Sequence, residues 1–179
     1  MLYMNTVYGY GLVSKVFHWL LALCIIAMLV IGVLFSFFDW RLYFPSLMAI
    51  HKSLGVTIIV LMFFRLLWRL INIQPTPIEM NHRVKISISC WLHRLLYILV
   101  FLIAIVGWVM SSASGHITYF WWLFNVTLPI PLDSGLAVFC NKAHLVLAWI
   151  LGVTISLHFV AALYHHLILK DKTLKRMIR

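Results

Sequence analysis

Charged residues are scarce in this sequence, and acidic residues are the scarcest. Of its 179 residues, 10 % are charged, and four are Asp or Glu against 14 that are Lys or Arg. A soluble domain has about 25 % charged and about 45–50 % apolar residues, whereas 64 % of this chain is hydrophobic. This composition excludes a soluble globular protein and a disordered one.

Cysteine is also rare, whereas histidine is abundant. The three cysteines are an odd number and lie far apart at Cys24, Cys90 and Cys140, which disfavours a disulfide-stapled secreted module. They are interpreted as small apolar core residues. The nine histidines outnumber the four acids, and several lie inside apolar stretches, so the histidines are the first candidates for function.

Four apolar stretches are long enough to cross a membrane as helices, which takes about 20 mostly apolar residues. They cover residues 16–38, 47–68, 91–111 and 144–169. The first stretch is too long for a cleaved signal peptide and lacks a small-residue cleavage site. The predicted fold is therefore all-α: one domain over residues 1–179, forming an up-down-up-down four-helix transmembrane bundle.

Basic residues predict the orientation of this bundle. With four spans, both termini lie on the same side as the loop between spans two and three. That side holds eleven Lys and Arg, and the other side holds three, namely Arg41, Lys52 and Lys142. Because basic residues are enriched on the cytoplasmic side, we expect both termini in the cytoplasm. The net charge of +10 then reflects topology and not a nucleic-acid partner.

The stretch 117–132 is apolar but short, and Asn125, Pro129 and Pro131 interrupt it. A fifth span there would move the basic C-terminal tail across the membrane. We therefore interpret it as an aromatic-rich loop at the outer interface, where Trp and Tyr are enriched.

Four of the histidines match in depth across the predicted bundle. His144 and His158 are 14 residues apart, so they project from nearly the same helix face at levels roughly 21 Å apart. His18 lies near the inner start of span one, and His51 lies near the outer start of span two. The predicted pairs are His18 with His158 and His51 with His144. Two such pairs suit two bis-histidine haems in the bundle core, held without covalent attachment because no Cys-x-x-Cys-His motif occurs.

Two other interpretations of these histidines stay open. They could be interfacial side chains hydrogen-bonded to neighbouring helices, or zinc ligands, although zinc wants three or four ligands at one depth. The haem interpretation also carries a condition. His18 is three residues past Lys15, whereas His158 is 12 residues before Lys170. They meet only if span four extends far into the cytoplasm or if span one begins before Lys15.

Further residues are candidates for contacting the two haems around their edges. Arg65 and Arg69 lie at the inner level and Lys52 at the outer level, where each could pair with a haem propionate or snorkel to lipid headgroups. Gly32 and Gly152 could admit a porphyrin or serve helix packing.

His165 is a candidate for quinone binding, because it follows His158 by seven residues on nearly the same face. A quinone headgroup needs a hydrogen-bond donor and a proton-exchanging group, and histidine supplies both. His166 and His93 are alternatives, and each of the three could instead be a solvated interfacial histidine. His82 and His116 carry no signal.

Several segments of the chain match the pattern of a known family. They are Phe17-His18-Trp19, His51-Lys52-Ser53-Leu54-Gly55, Arg65-Leu66-Leu67-Trp68-Arg69, His93 with Leu96-Tyr97, His144, and His158 through Ala161-Ala162-Leu163-Tyr164-His165-His166 to Lys170-Asp171-Lys172-Thr173-Leu174-Lys175-Arg176-Met177. With these segments, the chain resembles the bacterial cytochrome b561 family, di-haem b-type cytochromes of the inner membrane, from about Tyr8 to Arg179. The resemblance implies that the iron ligands are His18, His51, His144 and His158, the same four that the spacing selects.

The resemblance also implies electron transfer that involves ubiquinone. One type in the family is a superoxide oxidase, which passes an electron from superoxide at the outer face to ubiquinone. By analogy, the outer pair His51 and His144 would receive the electron, and the inner pair His18 and His158 would deliver it near His165. The alternatives are an electron-carrying cytochrome b subunit of a partner dehydrogenase or hydrogenase, and a haem-free transporter that uses the histidines as a relay.

Overall fold

The computed structural model describes residues 3–38, 44–76 and 83–178. Arg41 and His82, named above, lie outside the described residues. The helices and strands are α1 Leu12–Phe37, α2 Pro45–Ile71, α3 Arg83–Ala113, β1 Tyr119–Phe120, β2 Phe124–Asn125, α4 Ser134–Leu167 and α5 Lys175–Ile178.

The predicted four-helix transmembrane fold is confirmed. Helices α1, α2, α3 and α4 are each long and apolar enough to cross a membrane. Such segments form helices in lipid because every backbone N–H and C=O must find a partner within the segment. Local signals set two of the starts. Pro45 occupies the first turn of α2, where its missing N–H costs nothing, and the Asp133 carboxylate caps α4 by accepting a hydrogen bond from Leu136 N at 2.9 Å.

All four membrane helices begin earlier than the apolar stretches suggest, and α2 differs least, with its start at Pro45. Helix α1 starts at Leu12, α3 at Arg83 and α4 at Ser134, because a helix continues past a charged residue wherever its end lies beyond the hydrocarbon. The start of α1 matters most. It lies before Lys15, which meets the condition for His18 and His158 to reach the same level.

The helices pack in chain order, with α1 against α2, α2 against α3, and α3 against α4. Helices α1 and α4 meet less extensively and close the bundle. Leu151, at the centre of the bundle, is seven residues from both His144 and His158, so the core separates the two histidine levels. The buried core consists of Leu21, Ile58, Met62, Leu99, Val100 and Leu151.

Both chain ends meet at one end of the bundle, which we call the terminal end. Trp19 Nε1 donates to Met177 O at 2.9 Å, and Arg176 donates to Thr76 O at 2.7 Å. The buried Asn5 side chain fastens the N-terminal segment, because its Nδ2 donates to Ile73 O at 2.9 Å. The start of α1, the end of α2 and the C-terminal tail are therefore held together.

The opposite end of the bundle, which we call the loop end, is covered by residues 117–132. This segment contains no helix. It forms the two-stranded antiparallel ladder of β1 and β2, and its turn packs on α2. Trp121 N donates to Ser53 Oγ at 3.1 Å, and Trp121 Nε1 donates to Thr57 Oγ1 at 3.0 Å. The segment is thus a loop rich in aromatic residues and not a fifth span.

Candidate functional site

The structure brings the four matched histidines together as two pairs at opposite ends of the bundle. At the terminal end, the ring centroids of His18 and His158 are 6.3 Å apart. At the loop end, the ring centroids of His51 and His144 are also 6.3 Å apart. Each pair joins two helices, and the apolar core lies between the pairs.

This spacing fits a metal ion held between two imidazoles. A metal–imidazole nitrogen bond is about 2.0 Å, so two rings on opposite sides of one ion have centroids roughly 6 Å apart. Zinc fits less well, because a structural site needs about four converging ligands. Among the described residues, no group of three or more His, Cys, Asp or Glu side chains could hold a metal ion. The donors present therefore suit a group that brings its own equatorial ligands, as haem does.

At the loop end, α3 and α1 surround the histidine pair. His144 Nδ1 donates to Ile103 O at 3.1 Å, and Phe35 packs on His51 with ring centroids 5.9 Å apart. A histidine that donates one ring nitrogen to a carbonyl keeps the other free for a metal, as metal-binding histidines commonly do. His144 Nε2 therefore holds the lone pair that a metal ligand would need.

At the terminal end, cations and a third histidine surround the pair. Arg65 Nη2 donates to His18 Nδ1 at 3.3 Å, and the His93 ring lies 5.3 Å from that of His158. His93 Nδ1 donates to Ser89 O at 2.7 Å. This environment is polar and positively charged.

The Arg65 contact fixes a tautomer of His18. A guanidinium only donates hydrogen bonds, and a neutral imidazole has one donor and one acceptor nitrogen. His18 Nδ1 is therefore the acceptor, and Nε2 carries the proton. Because a metal ligand must be unprotonated, metal binding through Nε2 requires the other tautomer and requires Arg65 to leave Nδ1 for another acceptor.

The three residues predicted to bind haem propionates lie near the ends of the bundle where they were expected. Arg65 and Arg69 both stack on the Tyr97 ring, with their guanidinium carbons 5.2 and 5.5 Å from its centroid. Lys52 Nζ donates to Ile117 O at 3.3 Å and lines a cavity of about 170 Å³ that also includes Trp122.

His165 contacts a carboxylate, and the sequence did not predict this contact. Its Nδ1 is hydrogen-bonded to the Asp171 carboxylate. Burial acts to raise the pKa of the Asp171 carboxyl, but the hydrogen bonds from His165 and Thr173 outweigh it and hold that pKa below its usual range. His165 is partly exposed, with 32 % of its side chain accessible. In contrast, Nδ1 of His166 is buried and makes no hydrogen bond within the described part of the chain.

Three contacts of this arrangement go beyond what the sequence predicts. From the sequence, His93 is a candidate for quinone binding only, yet in the structure it contacts His158. Asp171 lies six residues after His165 and reaches it through a turn in which Lys170 has a φ of 52°. Gly107 lies against His144.

The two glycines singled out in the sequence have open space beside them. A Cβ added at Gly32 or at Gly152 would meet no atom within 4 Å. Their role in admitting a porphyrin or in helix packing stays a prediction.

Comparisons with known proteins agree on one family. The family model described as prokaryotic cytochrome b561 matches residues 9–179, which include both histidine pairs. The chain is 36 % identical to cytochrome b561 homolog 2 of Escherichia coli (strain K12), over 99 % of this chain and 95 % of that protein. It is 34 % identical to the probable superoxide oxidase CybB of Yersinia pestis, over 90 % of each chain. It is 27 % identical to cytochrome b561 homolog 1 of Escherichia coli (strain K12), over 90 % of this chain and 92 % of that protein.

Proposed function

The chain belongs to the prokaryotic cytochrome b561 family, and we propose that it carries two haems b and moves electrons between a donor at the outer face and ubiquinone. The family and the four spans make it a multi-pass electron-transfer protein of the bacterial inner membrane. Haem b is the cofactor that the family implies. The number of haems, the donor and the acceptor are the proposal.

One observation supports this proposal above the others: two histidine pairs with equal ring spacing at opposite ends of a single bundle. We assign His51 and His144 to one haem and His18 and His158 to the other. Haem iron, when bound, supplies one-electron chemistry that the side chains of this bundle do not provide. These four histidines would hold the iron through their imidazole nitrogens, and the apolar core would separate the two sites.

The positions of the cations support an orientation. The described residues of the terminal end carry most of the Lys and Arg, so this end faces the cytoplasm. Lys52, at the loop end, and Arg65 and Arg69, at the terminal end, are the partners that we assign to the haem propionates. Arginine binds a carboxylate with two parallel N–H donors, and Arg65 becomes available for this once it leaves His18.

We assign the quinone headgroup to His165. Reduction of ubiquinone to ubiquinol takes up two electrons and two protons, so the site needs a group that donates protons from the cytoplasmic side. His165 is partly exposed, and its Nδ1 is held by Asp171, which leaves Nε2 for a quinone carbonyl.

Superoxide is the donor that the comparison with CybB supports. Two superoxide ions would each lose one electron to give dioxygen, and one ubiquinone would take both electrons with two protons. At the loop end, the described cations are Lys52 and the exposed Lys142, which attract an anion weakly. If the protein does not oxidise superoxide, the remaining role is that of an electron carrier or a cytochrome b subunit of a partner dehydrogenase or hydrogenase.

The test is a reduced-minus-oxidised spectrum of the purified protein with a haem-to-protein ratio. Two haems b per chain support the proposal, and a protein without a b-type α band contradicts it and favours the histidine-relay transporter. Rapid reduction of the haems by superoxide and their reoxidation by ubiquinone support the oxidase. Slow reduction by superoxide, together with co-purification of a soluble dehydrogenase or hydrogenase, supports the subunit role.

A further inference from the structure

Gly107 of α3 lies directly against the imidazole of His144 on α4. A Cβ at position 107 would be 2.8 Å from His144 Cε1 and 3.0 Å from His144 Nδ1. Carbon atoms that are not bonded make favourable contacts at about 3.5–4.0 Å, so any larger residue would displace the ring. Of the eight glycines in the chain, Gly107 alone would place its Cβ against a histidine.

One helical turn before Gly107, the same face of α3 holds the ring by a hydrogen bond. Ile103 O accepts from His144 Nδ1 at 3.1 Å, and residues four apart lie on the same helix face. A carbonyl only accepts, so Nδ1 carries the proton and Nε2 holds the lone pair. Nε2 is also the ring nitrogen farther from position 107, at 3.8 Å against 3.0 Å for Nδ1. The nitrogen without a proton is thus on the side of the ring turned away from α3.

Glycine at this position needs a reason, since it is among the poorest helix formers. Position 107 lies within α3, which is continuous from Arg83 to Ala113, and no turn or positive φ requires glycine there. The contact with His144 supplies the reason. Glycine lowers the stability of the helix here, but it leaves the space that the imidazole fills.

We infer that Ile103 O and Gly107 form a seat on α3 that sets the tautomer and the orientation in which His144 binds a metal. The inference rests on the proposed role of His144 as a haem ligand. Gly107 acts through His144, so it is a positioning residue. At the terminal end, His18 and His158 contact Arg65 and His93 instead, so a change at Gly107 affects the loop-end haem alone.

The first test is Gly107→Ala in the full-length protein, with Gly9→Ala as the matched control. A Cβ at Gly9 meets no atom within 4 Å, and Gly9 precedes α1. We expect Gly107→Ala to lower the haem-to-protein ratio from two towards one, or to keep two haems and change the spectrum and potential of one. Gly9→Ala should retain the wild-type ratio and spectrum. A Gly107→Ala protein with two haems, an unchanged spectrum and unchanged potentials would overturn the inference.

The second test separates the seat from general helix packing, and it does not need haem. Gly107→Ala is compared in the wild-type and His144→Ala backgrounds by thermal melting of the haem-free protein. With His144 present, the added methyl displaces the ring and should lower the melting midpoint. With His144→Ala, the methyl has space, and the better helix former should raise the midpoint. Equal effects in both backgrounds would show that Gly107 serves packing and not His144. If the wild-type protein binds no haem, the proposed function fails, and this comparison still decides whether the seat exists.

Discussion

Arg65 donates a hydrogen bond to the imidazole of His18 over 3.3 Å and stacks on Tyr97. Arg65 therefore places a permanent positive charge beside one of the two proposed haem sites, whether it donates to His18 or to a haem propionate. At the loop end, His51 contacts Phe35 and His144 donates to the α3 backbone, while Lys52, next to His51 in the sequence, donates to Ile117 O. The two sites therefore differ in their electrostatics although their ring spacings are equal.

The charge at Arg65 predicts a difference in reduction potential. Reduction adds an electron, so a nearby cation stabilises the reduced form and raises the potential. We expect Arg65→Gln to lower the potential of one haem by on the order of 50 mV, since one buried unit charge is worth about 1–2 kcal/mol at protein dielectric. Potentiometric titration followed by visible spectra measures the shift. Arg94, which stacks on Trp91 at the same end, is the control, and an equal shift in Arg94→Gln would attribute the effect to general surface charge.

The ligand assignment predicts a selective loss of haem. His51→Ala should remove the loop-end haem and leave the other, and His18→Ala should do the reverse, because each substitution removes one of two axial nitrogens. The haem-to-protein ratio should fall to about half in each variant, and the two variants should retain haems of different potential. His116→Ala, a change in an exposed loop residue, should keep both haems. A His51→Ala protein that keeps its full haem content would refute the assignment.

Helix geometry explains why the histidine pairs could be predicted from the sequence. A spacing of 14 residues fixes both the face and the rise of His144 and His158. Alternation of the spans then fixes the level of His18 and His51. These relations need no knowledge of side-chain contacts, and the structure places the same pairs together.

Contacts that depend on helix rotation or on turn geometry could not be predicted in this way. Gly107 reaches His144 because of how α3 is rotated against α4, and the sequence does not encode that rotation in any local pattern. Asp171 reaches His165 because Lys170 adopts a φ of 52°, which is uncommon for a residue other than glycine. Helices α1, α3 and α4 start well before the predicted residues because a charged residue marks the edge of the hydrocarbon and not the end of a helix.

The contact between His165 and Asp171 predicts a defect confined to quinone reduction. We expect His165→Gln to slow reoxidation of the haems by ubiquinone by about 10²-fold, the lower range for loss of a general acid. Reduction of the haems by the outer donor should be unchanged. Stopped-flow absorbance measures both steps, and Asp171→Asn should give a smaller defect in the same step. If His166→Gln slows reoxidation and His165→Gln does not, the quinone assignment moves to His166.

The lowered pKa of Asp171 predicts how the C-terminal turn responds to acid. Thr173 N donates to Asp171 Oδ1 at 2.7 Å, so the ionised carboxylate stabilises the turn. A carboxyl whose pKa is lower in the folded state stabilises that state above its ordinary pKa of 3.8, and this contribution is lost as the pH falls through the lowered value. The Thr173 amide should therefore stay protected from hydrogen exchange at pH 5 and lose protection in stronger acid, after correction for intrinsic rates. In Asp171→Ala, which removes the acceptor, its protection should be low at both pH values, and a pH-independent protection in the wild type would contradict the role of the carboxylate.

The turn at Trp121 and Trp122 predicts opposite effects of the same substitution at adjacent positions. Both residues have positive φ values, 46° and 61°, and Leu123 N donates to Phe120 O at 2.9 Å across the turn. The left-handed conformation costs a residue with a Cβ roughly 1–2 kcal/mol, and glycine avoids that cost.

Trp122 is 59 % exposed, so Trp122→Gly should raise the melting midpoint. Trp121 Nε1 donates to Thr57 Oγ1, and its indole packs on α2, so Trp121→Gly should lower the midpoint despite the relief of strain. Thermal melting of the two variants measures the difference, and a midpoint that falls for Trp122→Gly would show that the exposed indole makes a stabilising contact larger than the strain.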